Sequence, residues 1–128
     1  MKIVLLLGRI LFALIFVFSG FNHALGAGID YAASAGVPAA AFLVRVAGVL
    51  ALAGGLSVLL GFKARTGAIL LVIFLVPVTL YMHKFWGITD PAAAQMQMAM
   101  FMKNVALTGA CLIIAYFGSG PASIDKQA

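Results

Sequence analysis

The sequence predicts an all-α fold, an integral membrane four-helix bundle with its N- and C-termini in the cytoplasm. Three observations carry that prediction. Of the 128 residues, 65% are hydrophobic and 9% charged, against roughly a quarter charged in a soluble domain. A globule this small has too much surface for its volume to hide so much apolar area. Four stretches reach the roughly 20 apolar residues needed to cross a hydrocarbon core about 30 Å thick. Each is read as a helix, because a helix satisfies its own backbone groups in lipid and an open sheet does not. No stretch shows the alternating polarity, about ten residues at a time, of a membrane β-barrel.

The first span covers residues 3–25. Its start, "MKIVLLLGRILFALIFVFSGFNHALGA", shares a basic residue and an apolar run with secretory signal peptides. Arg9 interrupts the apolar core, however, and the run is long enough to cross, so it is expected to remain as a span. "GAGIDYAASAGVP" follows as a short surface helix, and Pro38 supplies fixed first-turn geometry for the second span, 38–60. "GFKAR" is a tight turn of the length common between antiparallel helices. The third span, 64–83, contains Pro77, which removes a backbone donor and frees the Ile73 carbonyl, so a kink is expected there. In "FWGITDPAAA", Asp90 is the expected N-cap and Pro91 the first helical residue, while Phe85 and Trp86 suit the interfacial aromatic belt. The fourth span, 96–117, ends at Gly118, Gly120 and Pro121 in the tail "GSGPASIDKQA". No internal repeat divides the chain, and residues 1–128 are read as a single transmembrane domain.

Basic residues near span ends tend to stay in the cytoplasm. Lys2, Lys63, Arg65 and Lys126 lie on the side of the termini, with Arg9 able to snorkel toward it, whereas the other side offers Lys84 against Asp30 and Asp90. This predicts a multi-pass protein of the bacterial inner (plasma) membrane with cytoplasmic termini. Asp125 is expected to bind Arg65, Lys63 or Arg9 there. The net charge of +5 comes from basic residues scattered singly, so a nucleic-acid partner is not indicated. Cys111 is the single cysteine, which excludes an intrachain disulfide, a CxxC dithiol and a thiolate metal cage.

The polar residues inside the spans are the informative ones. Arg45 lies seven residues past Pro38 and Lys103 seven past Met96, so both fall about 10 Å in from the outer side. Ser19, Asn22 and His23 share one face of the first span, and Thr79 and His83 one face of the third; Gln97, Asn104 and Cys111 form a stripe on the fourth, with Thr108 beside it. Gly48 and Gly55, with Ala47 and Ala51, are small residues at helical spacing, the mark of close helix packing in lipid. That interface is expected to carry Arg45 inward. There is no glutamate and all three aspartates lie in loops or the tail, so neither cation has an acidic partner within the spans. A charge at mid-membrane costs from about 3 to over 10 kcal/mol, more than a neutral hydrogen bond returns. Either both side chains snorkel to the headgroups or reach Asp30 and Asp90, or they face an outer-half pocket that receives an anion or a polarised carbonyl. The ligand-binding candidates of the second reading are Asn22, His23, Arg45, His83, Lys103 and Asn104. No catalytic residue is assigned, since no nucleotide loop, serine triad or acid pair is present. No metal site is assigned either. Two histidines make an incomplete ligand set, and Met96, Met98, Met100 and Met102 alternate around their helix.

The stretches "GRILFALIFVFSGFNHALG", "YAASAGVP", "GGLSVLLGFKARTGA", "MKNVALTGACLIIAYFGSG" and "PASIDK", in that order, resemble the DoxX family of small four-helix membrane proteins over nearly the whole chain. The resemblance implies an inner-membrane bundle. Some relatives are associated with quinone-linked sulfur oxidation or with membrane assemblies that handle oxidative stress. This chain has Asn22-His23 where relatives often carry a basic residue, commonly lysine. The expectation is a membrane subunit of a redox or quinone-linked oxidoreductase assembly, with the outer-half pocket holding a quinone headgroup or small anion. Lacking a haem-type motif or dithiol, the chain would draw electrons from a redox-complex partner or bound cofactor. A small-solute transporter or channel, built as a homo-oligomer, and a purely structural membrane anchor are the alternatives.

Overall fold

A computed structural model describes residues 1–126. Its helices are α1 (Lys2–Ala24), α2 (Ile29–Ser34), α3 (Ala40–Leu60), α4 (Ala64–Met82) and α5 (Pro91–Phe117). Among the described residues, four helices, α1, α3, α4 and α5, are long and apolar enough to cross a membrane. The short helix expected after the first span is α2. Large side chains such as Phe18, Phe42, Ile113 and Tyr116 point outward, which suits hydrocarbon and would be untenable on a soluble monomer.

The spans pack in series, α1 on α3, α3 on α4 and α4 on α5. Ala13 and Phe16 of α1, Ala51 and Val58 of α3, Leu71 and Leu75 of α4 and Cys111 of α5 make the core. Close approach depends on the small residues. A Cβ on Gly20 would lie 2.8 Å from the Gly48 carbonyl oxygen, and one on Gly55 would lie 3.0 Å from Phe16 Cβ. On its other side α3 meets α4, where a Cβ on Gly54 would lie 2.9 Å from the Gly67 carbonyl oxygen. The small-residue stripe of α3 is thus an interface, as dispersion-driven packing in lipid demands.

The two ends of the bundle differ. At the lid end, α2 packs across α3 and α4. Pro38 does not open α3: it precedes the N-cap Ala39, whose φ of 47° turns the chain sharply out of α2 before the helix begins at Ala40. Asp90 caps α5 as expected, its carboxylate accepting from Ala93 N at 3.1 Å with Pro91 in the first turn. The helix consequently starts five residues before the expected Met96. It is 27 residues long.

At the termini end the tail folds back over the bundle. Leu60 O accepts from Ile124 N at 3.1 Å and Gly61 O from Asp125 N at 2.9 Å. The Asp125 carboxylate accepts from Lys63 N at 2.5 Å, capping α4 from a distant part of the chain. Arg9 does not snorkel outward. Its guanidinium donates to the carbonyl oxygens of Ser119 (2.6 Å), Pro121 (2.9 Å) and Ala122 (2.7 Å) and to Ser123 Oγ, and the residue is only 8% exposed.

Candidate functional site

The six candidate residues do not gather in one pocket. Arg45 and Lys103 are both exposed, and they lie on helices that share no extensive interface. Their depths differ as well. Val44 packs with Ala32, Ala40 and Met82, which sets Arg45 level with the last turn of α4. Gln97 meets His83 at that same level. Lys103 lies six residues beyond Gln97 along α5, about 9 Å deeper, and its Nζ is 3.7 Å from Met100 Sδ. The expectation of equal depth fails because α5 begins at Pro91 rather than Met96. The expectation that the small stripe carries Arg45 inward fails because α1 stops at Ala24, opposite Gly48. Arg45, most of a turn farther out, meets the departing loop: a Cβ on Gly26 would lie 3.3 Å from Arg45 Nη2. Its Nη1 donates to Ala41 O at 3.3 Å.

His23 shares this α1 neighbourhood. Its Nδ1 lies 2.6 Å from Ser19 O, and since a carbonyl only accepts, Nδ1 carries the hydrogen. Asn22 is half-buried on the same turn.

The remaining candidates meet between α4 and α5. His83 Nδ1 lies 3.0 Å from Gln97 Oε1, Gln97 Nε2 donates to the Tyr31 hydroxyl at 2.6 Å, and Tyr31 donates to Met82 O at 2.9 Å. One chain of hydrogen bonds therefore joins the lid helix α2, the end of α4 and the first turns of α5. In this arrangement His83 Nδ1–H donates to the amide oxygen, and in the uncharged ring Nε2 then carries the lone pair. Below it lie Thr79 and Asn104, 6% and 5% exposed. Thr79 donates to Leu75 O at 2.6 Å and Thr108 to Asn104 O at 2.8 Å. Among the described residues the Asn104 side-chain amide has no hydrogen-bond partner. Phe85, Trp86 and Phe101 close the seam toward the lid end, with ring centroids 5.3 to 6.0 Å apart.

Sequence reasoning omitted Tyr31 and Gln97 from the candidates. The stripe of Gln97, Asn104 and Cys111 was the available signal for the second. For Tyr31 the sequence shows only a tyrosine in a connecting helix, with nothing to say that it reaches Met82 and Gln97.

Four membrane-crossing helices in series, capped at one end by a short helix over a neutral polar seam, define a small multi-pass α-helical protein of the inner membrane. The DoxX family model matches residues 4–84. Two curated proteins of Escherichia coli (strain K12) are similar over nearly the full length. Inner membrane protein YphA is 32% identical over 127 residues, 98% of this chain and 90% of the relative. Inner membrane protein YqjF is 32% identical over 123 residues, 94% and 88% of the two chains. This chain belongs to the DoxX family. No solved structure matches it. The family match ends at Lys84, so Thr79 and His83 fall inside it, and Gln97 and Asn104 outside.

Proposed function

We propose that this protein is a membrane subunit of a quinone-linked redox assembly and that it holds a quinone headgroup in the α4–α5 seam at the lid end. One observation carries the reading: the Asn104 amide, 5% exposed in an apolar seam, has no partner among the described residues. The fully enclosed unpaired side-chain atom among the described residues is Arg9 Nε and not the Asn104 amide, so that amide keeps an open approach through which a ligand carbonyl can accept its N–H. The rest of the seam suits the same ligand. Gln97 and Tyr31 are uncharged donors and acceptors that match a headgroup without net charge, His83 adds a ring nitrogen beside them, and the Phe85, Trp86 and Phe101 rings offer faces for stacking.

A bound quinone supplies two-electron, two-proton chemistry. The chain's own residues bind and orient it: Asn104 donates to a carbonyl, and the His83 Nε2 lone pair is available to a hydroxyl proton. A single cysteine and no dithiol leave electron supply to a partner protein. Arg45 and Lys103 stand outside this seam, which favours a neutral headgroup over a small anion. The excess of Lys and Arg at the termini end supports a lid end that faces away from the cytoplasm. Cysteines placed at Ser34 and Thr89 should react with an impermeant reagent from outside, and reaction from the cytoplasmic face alone overturns that orientation.

Trp86 is the only tryptophan, so its emission reports on this end without labelling. Titration of the detergent-solubilised protein with a short-chain ubiquinone should quench it saturably. Asn104→Leu and Gln97→Leu should remove the saturable part, whereas Arg45→Leu and Lys103→Met should keep it. Equal quenching in all four variants and the parent means partition into detergent and refutes the site.

A further inference from the structure

Because α1 and α5 are the outer members of the series, a cleft of about 1210 Å³ remains between them at the termini end. Its walls are apolar, with Leu5 and Phe12 of α1 facing Ile113 and Phe117 of α5. Its floor at Gly8 is open, for a Cβ there would meet nothing within 4 Å. Its far edge is cationic: Arg9, Lys63, Arg65 and Lys126 line the cleft with a single carboxylate, Asp125.

That carboxylate offsets one of the four charges and is oriented by neutral donors. It accepts from Lys63 N and from Ser119 Oγ at 3.3 Å, and among the described residues no Lys or Arg forms an ion pair. Neutral carbonyls and a hydroxyl accept from Arg9 Nη1 and Nη2 while its buried Nε has no partner, so the guanidinium is held without its charge being cancelled. Lys63 turns aside, its Nζ 5.6 Å from the centre of the Phe62 ring. Arg65 lies over Gly118, where a Cβ would come 3.1 Å from Arg65 Nε, and Lys126 follows Asp125 on the same rim.

We propose that this cleft is a binding site for an anionic phospholipid, with one acyl chain between α1 and α5 and the phosphodiester against Arg65 and Lys126. Charge complementarity selects the occupant. An apolar slot alone would accept any lipid, but the rim sets four cations against one carboxylate, an excess that a net-negative headgroup balances and a zwitterionic one does not. Each basic residue at such a surface strengthens binding of an anionic lipid severalfold.

The test uses the full chain in mild detergent, with bound lipid counted by native mass spectrometry during titration with phosphatidylglycerol or phosphatidylcholine. Phosphatidylglycerol should be retained in preference. The double variant Arg65→Gln/Lys126→Gln should weaken its binding roughly thirtyfold. Gly8→Leu fills the slot without touching the protein and should abolish binding while Trp86 emission and helix content stay as in the parent. Three results overturn the proposal: no preference between the two lipids, displacement of phosphatidylglycerol by millimolar inorganic phosphate, or parental binding by Gly8→Leu.

Discussion

Gly48→Ala adds one methyl group to the α1–α3 seam, and the structure fixes what it meets. An ideal Cβ there would collide with Ala24 N, lie 2.7 Å from the His23 carbonyl carbon and lie 2.8 Å from Gly20 O. All three are backbone atoms, which no rotamer change can move aside. Ordinary contact begins near 3.4 Å, so relief at His23 alone requires the helices to separate by about 0.7 Å, the difference between 3.4 and 2.7 Å. A gap of that size forfeits a quarter to a half of each dispersion contact along the seam. Overpacking of this kind costs about 1–3 kcal/mol, and backbone-on-backbone contact places Gly48→Ala at about 2 kcal/mol, roughly thirtyfold in the folding equilibrium. Gly109→Ala is the matched control. It adds the same methyl to α5 with nothing within 4 Å, and removing a helix-interior glycine should stabilise by up to about 1 kcal/mol. Helix content followed by circular dichroism as a denaturing detergent is titrated into mild micelles measures both. Equal stability of the two variants would refute the argument that backbone contact between α1 and α3 holds this bundle together.

Other expectations use the same assay. Lys103→Met replaces an exposed cation about two turns below the end of α4 and should raise stability by about 1–3 kcal/mol; a loss of stability would mean the ammonium has a favourable partner. Arg9→Met removes the donor to Ser119, Pro121, Ala122 and Ser123 and should destabilise by about 3 kcal/mol, with the tail becoming sensitive to protease while the four spans remain resistant. Asp90→Ala and Asp125→Asn each weaken a helix N-terminus, of α5 and α4 respectively, and should cost about 1 kcal/mol apiece. Unchanged midpoints would show that detergent or water replaces those caps without loss.

The spans were legible because hydrocarbon thickness imposes a length that few other constraints impose. The α3 stripe was legible because only glycine and alanine allow helix backbones to approach so closely. Depth and rotation were not. The start of α5, "PAAAQMQ", is too small and polar to register as a span, yet the Asp90-Pro91 pair signalled its beginning, and giving that cap precedence over hydropathy would have placed Lys103 correctly. The exposure of Arg45 depends on where α1 ends, which its own sequence, with Asn22 and His23 in the last turn and Leu25 just after it, does not declare. The Arg9 clasp was beyond reach, since its partners lie more than 100 residues away in a stretch whose glycine and proline read as an ordinary loop.

That clasp gives the molecule its asymmetry. Helices in series leave α1 and α5 as two free edges, and among the spans α5 packs extensively on α4. The tail leaves α5, crosses to Arg9 on α1 and bonds to Leu60 and Gly61 at the α3–α4 turn, so the series closes into a ring at the termini end only. At the lid end α5 has no corresponding tie to α1 and is fixed instead through His83, Gln97 and Tyr31. The hydrogen bonds that define the proposed quinone seam are therefore also those that position the helix carrying Asn104. Loss of Gln97 should loosen the first turns of α5 while the clasped end stays in register, and hydrogen exchange confined to residues 91–100 in Gln97→Leu would be its signature. Exchange spread evenly along α5 would show instead that packing on α4 suffices to place the helix, and would leave the polar chain no positioning role.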